Sequence, residues 1–118
     1  IECIDLPPLD RDQDVYTYLR LDVVERLRNT IDTFSRDNEE NTTDWLIGCR
    51  GRLFEMSSAD WGVCEVSHTA IGAGFPYALG SLYTSMRMKD IEERLRMSIN
   101  AAIEYNPSCR GPVDILRV

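Results

Sequence analysis

His68 is the chain's single histidine, and Ser67 and Cys64 stand close before it, so the first chemistry to weigh is a hydroxyl or thiol activated by an imidazole. The spacing argues against it. Successive strand residues point to opposite faces, and no acid in the sequence can be assigned to orient the ring, which leaves His68 as a surface or sheet-end residue. Glu39-Glu40 and Glu92-Glu93 are paired carboxylates. Adjacent residues diverge on a helix or loop, so neither pair is arranged for glycoside hydrolysis or for a metal, and both read as solvated faces. Cys3, Cys49, Cys64 and Cys109 are widely spaced, form no C-x-x-C pair and have only His68 to complete a zinc site. With no secretory signal ahead of them, they read as reduced thiols of a cytoplasmic protein; Cys49 and Cys64, inside apolar strand-like runs, are expected to be buried.

A second set of residues is more informative. Thr69-Ala70-Ile71-Gly72-Ala73-Gly74-Phe75-Pro76-Tyr77-Ala78-Leu79-Gly80 runs from an extended segment through a Gly-x-Gly turn into a helix of small residues. Gly72 and Gly74 let the backbone approach a neighbour closely, and the amides that open a helix at Phe75 favour a nearby negative charge. The same glycines would equally let a strand pack tightly against a helix, and the pattern alone leaves both readings open. Further on, Asn106-Pro107-Ser108 offers a hydroxyl, or simply a turn that ends a helix.

The elements that would position these residues follow from periodicity. Leu6-Pro7-Pro8-Leu9 is a rigid lead-in that cannot be helical. From about Asp14 to Phe34, the residues Tyr16, Leu19, Val23, Leu27, Ile31 and Phe34 recur at helical spacing and predict one long amphipathic helix, ended by the polar run 36–41. Trp45–Cys49 and Arg52–Met56, separated by Arg50-Gly51, predict a hairpin; Trp61–Val66 predicts a further strand. Trp45, Phe54 and Trp61 could form an aromatic cluster across it, and Met86, Met88 and Met97 flank the helices that follow. A helix is expected from Phe75 to Ser85. Another begins after Asp90, an N-cap with Glu93 three residues on, and carries Ile91, Leu95, Ile99, Ala102 and Ile103 as its apolar stripe until Tyr105-Asn106-Pro107. Val113–Val118 is β-branched enough to predict a last strand.

Composition bounds the whole. The chain has 118 residues, 43% of them apolar, which suits a single domain over 1–118 and includes no run approaching the roughly 18 apolar residues of a membrane span. Net charge is −7, and the cationic residues are interleaved with carboxylates, so a nucleic-acid partner is not expected.

The Gly72-Ala73-Gly74-Phe75-Pro76-Tyr77-Ala78 turn, together with Cys109-Arg110-Gly111-Pro112 before the predicted last strand, resembles the proteasome β-type subunits and the related bacterial ATP-dependent peptidase. The resemblance covers Asp44–Val118 and the first helix by pattern. It implies an α+β fold, the later half of a proteasome-like αββα sandwich with antiparallel sheets covered by helices. It also implies the function of an N-terminal-nucleophile hydrolase of the threonine-protease type acting on polypeptides. Such enzymes use a terminal hydroxyl and its own α-amine, and so require neither metal nor organic cofactor. No catalytic residue is assignable here: Ile1 has no nucleophilic side chain, and the single lysine, Lys89, lies between predicted helices. Gly72, Ala73, Gly74 and Ser108 are the residues expected beside the site, with Ala73 where the family has serine and Tyr105 or Asn106 where it has aspartate. The chain is therefore expected to be incomplete, its catalytic half supplied by preceding residues, and to need a homo-oligomer or that missing half-domain as partner. The alternative is a proteasome-fold protein that assembles or interacts without catalysis.

Overall fold

The computed structural model describes residues 6–34 and 42–117, without the side chains of 31–34. The expectations for Ile1, Cys3, the 36–41 loop with Glu39-Glu40, the Ile31 and Phe34 side chains and Val118 lie outside the described residues. The chain forms two compact units divided after Val66.

In the first unit, Asp14 supplies the N-cap that the sequence lacks until after the prolines. Its backbone is extended, and its carboxylate accepts the Thr17 amide at 2.9 Å. Helix α1 (Val15–Tyr18) passes through a π-helical stretch (Leu19–Val23) into α2 (Val24–Phe34). The π turn has a physical use. Val15, Leu19, Val23 and Leu27 are each four residues apart, and in a regular α-helix each such step would drift by about 40° around the axis. The wider π turn takes part of that drift back, and all four side chains stay buried on one face. Tyr18 joins them, its hydroxyl donating to the Pro7 carbonyl at 2.7 Å, whereas Tyr16 is only half-buried.

That face packs on a three-stranded antiparallel sheet of order β1-β2-β3: Asp44–Cys49, Arg52–Ser57 and Val63–Val66. The β1–β2 turn is the predicted Arg50-Gly51, with positive φ at both residues (51° and 74°), the backbone that matches the twist of a two-residue hairpin. Register places Trp45 opposite Met56 and Ile47 opposite Phe54. Phe54 and Met56 are essentially inaccessible, each contributing roughly 1.5–3 kcal/mol through burial. Trp45 and Trp61 stack with centroids 5.8 Å apart; Phe54 belongs instead to the core, with the Arg52 guanidinium 5.0 Å from its ring centroid. Cys64 departs from expectation. Alternation along β3 buries Val63 and turns the next residue, Cys64, to the opposite, exposed side of the sheet.

The second unit is a helical pair, α3 (Phe75–Thr84) and α4 (Ile91–Tyr105), packed through Ala78, Leu82, Ser85, Ser98 and Ala102. Asp90 caps α4, accepting the Glu93 amide at 3.2 Å. Arg94 donates to the Leu82 carbonyl at 2.7 Å and so satisfies a carbonyl near the end of α3. The predicted α4 stripe holds at Ala102 and is corrected at Ile91, Leu95 and Ile99. Small side chains permit close approach and occupy the interface, while Ile91, Leu95 and Ile99 stay exposed, Ile91 at 67%. Met86 and Met97 are exposed as well. The last strand is also corrected: residues 113–117 form none, since they join no ladder, and β-branched side chains alone do not make a strand. Among the described residues no helix is long and apolar enough to cross a membrane.

Candidate functional site

The Gly-x-Gly turn lies in the second unit at the start of α3, and its two glycines answer the two readings differently. Gly72 has φ of +96°, a conformation that side chains rarely adopt, with open space where a Cβ would stand. It is a turn glycine. The Phe75 amide closes that turn on the Gly72 carbonyl at 3.1 Å. Gly74 has an ordinary φ of −91° and is buried, but a Cβ there would lie 2.7 Å from both the Ala102 Cβ and the Cys109 Sγ. Its role is close packing: the start of α3 sits against the last turn of α4 and the loop beyond it.

That loop is tied back to the turn by one side chain. Asn106, the C-cap of α4, donates from Nδ2 to the Ala73 carbonyl at 2.8 Å, bridging 33 positions of sequence. Its Oδ1 accepts the Ser108 amide at 2.8 Å, and its backbone carbonyl accepts the Cys109 amide at 3.0 Å. The Asn-Pro-Ser segment is therefore the helix-ending turn that its residue types indicate, an Asx turn, and is also the bracket of the site. Of the four expected residues, the carboxamide bonds Ala73 and Ser108 directly, and Gly72 and Gly74 are the chain neighbours of Ala73 in the turn. Ala73 and Ser108 are both exposed, so a group approaching the surface here would meet the Ala73 methyl and the loop that carries the Ser108 hydroxyl.

The electrostatics of the turn come from the backbone. Pro76 in the first turn of α3 has no amide, and the Phe75 and Ala78 amides donate to the Gly72 and Gly74 carbonyls, so the field here is that of the positive end of the helix dipole. No acidic side chain lies in the first turn of α3. Tyr77 and Tyr105 flank the turn with ring centroids 5.7 Å apart. Such a surface favours a nearby negative charge. Elsewhere in this unit Ser67 and His68 are in contact, Oγ to Nδ1 at 3.1 Å, in an exposed neighbour pair with no acid hydrogen-bonded to the ring among the described residues. Lys89 lies between α3 and α4. No group of three metal-ligating side chains comes together among the described residues.

The strongest side-chain electrostatics belong to the first unit. Arg52 engages Glu65 in a forked pair, Nε–Oε1 at 2.9 Å and Nη2–Oε2 at 2.7 Å, and reaches Asp14 at 3.5 Å. The guanidinium holds the Glu65 carboxyl below its usual range, and Glu65 in turn raises the Arg52 pKa. Asp14 is also lowered, first by the Thr17 amide and only secondarily by Arg52. This cluster fixes the helix start to β2 and β3. Arg50 acts similarly, donating to the carbonyls of Asp10, Arg11 and Gln13.

No protein-family model matches the sequence, and no curated protein matches it. Among solved structures, the chain is similar to that of Thiobacillus denitrificans BPH in complex with epoxomicin, with a TM-score of 0.68 and 26% sequence identity over 86% of this chain. The match spans 57% of the length of that chain. The chain thus has the α+β architecture of a proteasome-like fold fragment, an antiparallel sheet with its packed helices.

Proposed function

We propose that this chain is part of a proteasome-like N-terminal-nucleophile hydrolase that cleaves peptide bonds in unfolded polypeptides, with the nucleophile, its base and the remaining strands contributed by residues outside it. Both units belong to that one domain. The supporting observation is the bracket formed by Asn106, which brings the Gly72-Ala73-Gly74 turn and the Ser108 loop together, the two segments that the resemblance puts beside the nucleophile. The dipole end of α3 then stabilises negative charge developing on the scissile carbonyl oxygen, and the terminal hydroxyl with its own α-amine does the bond-breaking without metal or cofactor. Assembly into an oligomer, and a cytoplasmic location suited to the free Cys49, Cys64 and Cys109, complete the reading.

The test is hydrolysis of fluorogenic peptides by the full-length protein, with and without epoxomicin, the compound bound by the similar BPH structure. Turnover that epoxomicin abolishes is expected; a pure protein with neither turnover nor epoxomicin binding would overturn the proposal. One observation favours a second reading, a non-catalytic assembly protein of the same fold: the methyl of Ala73 stands where the family's serine would support the terminal residue. Stable oligomers without peptidase activity would establish it instead.

A further inference from the structure

We propose that residues 7–13 form a strap on the first unit and that Arg50 is its clasp, a fastening that opens on its own while the helix and sheet beneath stay folded. The inference goes beyond the hydrolase reading and does not depend on it. It begins with a residue that its own turn disfavours. Arg50 opens the two-residue hairpin loop with φ of +51°, a conformation that suits glycine, asparagine or aspartate and strains a longer side chain. Local turn chemistry gives no reason for arginine there, and its distant contacts do. Nη2 donates to the Asp10 carbonyl at 2.9 Å, and Nη1 donates to the Gln13 and Arg11 carbonyls at 3.2 and 3.3 Å. All three acceptors are neutral carbonyls, and among the described residues Arg50 forms no ion pair. They converge because residues 10–13 make a turn closed by the Gln13 amide on the Asp10 carbonyl at 3.1 Å, so that one oxygen serves both the turn and the clasp. A planar guanidinium, with several N–H groups in a fixed fork, can engage such a set at once; an ammonium on a flexible stem cannot.

The other end of the strap is held by Tyr18, whose hydroxyl donates to the Pro7 carbonyl, and between the two ends Leu9 packs against the core of the first unit. Gln13 adds a side-chain bond to Asp22 at 3.1 Å. The backbone of 7–13 belongs to no strand or helix, and Asp10, Arg11 and Arg50 are all exposed. Side chains, a single packed leucine and solvent-exposed hydrogen bonds therefore hold this segment, the marks of a part that opens below the free energy of global unfolding. Arg50 sets how often it does so.

The experiment measures amide hydrogen exchange in full-length wild type, Arg50→Gly and Arg50→Lys. Glycine suits the turn better than arginine, so a residue that served only the hairpin would be replaced without loss. With the clasp removed, protection of the Gln13 amide is expected to fall about tenfold or more in Arg50→Gly, the scale of hydrogen bonds to a charged group. The Phe54 amide, in the central strand β2, should change far less, because relief of strain in the turn offsets the lost bonds. Arg50→Lys retains the charge without the fork and should recover only a small part of the Gln13 protection. Unchanged Gln13 protection in Arg50→Gly, or equal protection in Arg50→Lys and wild type, would overturn the clasp. A parallel loss at Gln13 and Phe54 would overturn the separate opening of the strap.

Discussion

Gly74 and Gly80 lie six positions apart at the beginning and in the interior of the same helix, and replacing each by alanine should move stability in opposite directions. At Gly74 the new methyl would meet Ala102 Cβ and Cys109 Sγ at 2.7 Å each, roughly 1 Å inside the usual separation of about 3.5–4.0 Å. Ala102 is rigid, a Cβ on the backbone of α4, so α3 and α4 must part or the 106–109 loop must shift. Overpacking of this kind costs roughly 1–3 kcal/mol. The lower entropy of the unfolded alanine chain returns about 0.4–1 kcal/mol, but alanine is a poorer N-cap than glycine by a similar amount, so those two effects nearly cancel. The net expectation is a loss of about 2 kcal/mol. Gly80 is exposed with nothing within 4 Å of its would-be Cβ, and alanine there should add roughly 0.5–1 kcal/mol through helix propensity alone.

The assay is denaturant unfolding of the full-length protein, comparing midpoints at unchanged slope. A double variant, Gly74→Ala with Ala102→Gly, adds a check. It removes one of the two clashes, so Ala102→Gly should cost less in the Gly74→Ala background than in wild type by about 0.5 kcal/mol or more. If Gly74→Ala were as stabilising as Gly80→Ala, the close approach of turn, helix and loop would be refuted, and with it the geometry of the site.

Other expectations concern the first unit and the exposed faces. Asp14 and Glu65 both have folded-state pKa values below their ordinary ones, so the unfolded chain binds protons more readily; their contribution should be complete above about pH 5 and fade as pH falls through 4 and below. Glu65→Gln should therefore lose less stability than wild type between pH 7 and pH 3.5, measured by thermal unfolding; an identical loss would remove the Arg52 pair from the account. Tyr18→Phe should cost about 1 kcal/mol by deleting the hydrogen bond to the Pro7 carbonyl, read from the unfolding midpoint, and an unchanged midpoint would contradict a structural role for it. The isolated 118-residue chain, with Ile91, Leu95, Ile99 and Leu116 all exposed, should melt without cooperativity as a dilute monomer; a sharp calorimetric transition would show that these faces need no cover.

What could be read from the sequence was local. Arg50-Gly51 between two apolar runs specifies its own hairpin, and Asp90 three residues before Glu93 specifies its own cap, because the groups that bond are within a few residues of one another. The Gly-x-Gly turn was likewise visible, but not its division of labour, since the atoms that crowd Gly74 come from positions 102 and 109. The role of Asn106 was legible only by half. Its bond to Ser108 is an Asx turn written in Asn-Pro-Ser, whereas its bond to Ala73 exists only once α3 and α4 are packed. The α4 stripe held at Ala102 but not along its length, for a related reason: periodicity finds an apolar face but not its neighbour, and Ser98 is buried where Ile91, Leu95 and Ile99 are exposed. β-branched residues predict a strand over 113–118, but that preference is local and weak, and residues 113–117 join no ladder.

The central claim, that the Asn106-bracketed turn serves a terminal nucleophile, is tested most directly by N-terminal sequencing of the mature full-length protein. The account predicts threonine, serine or cysteine at that position. A mature protein that begins with a residue lacking a nucleophilic side chain would contradict it.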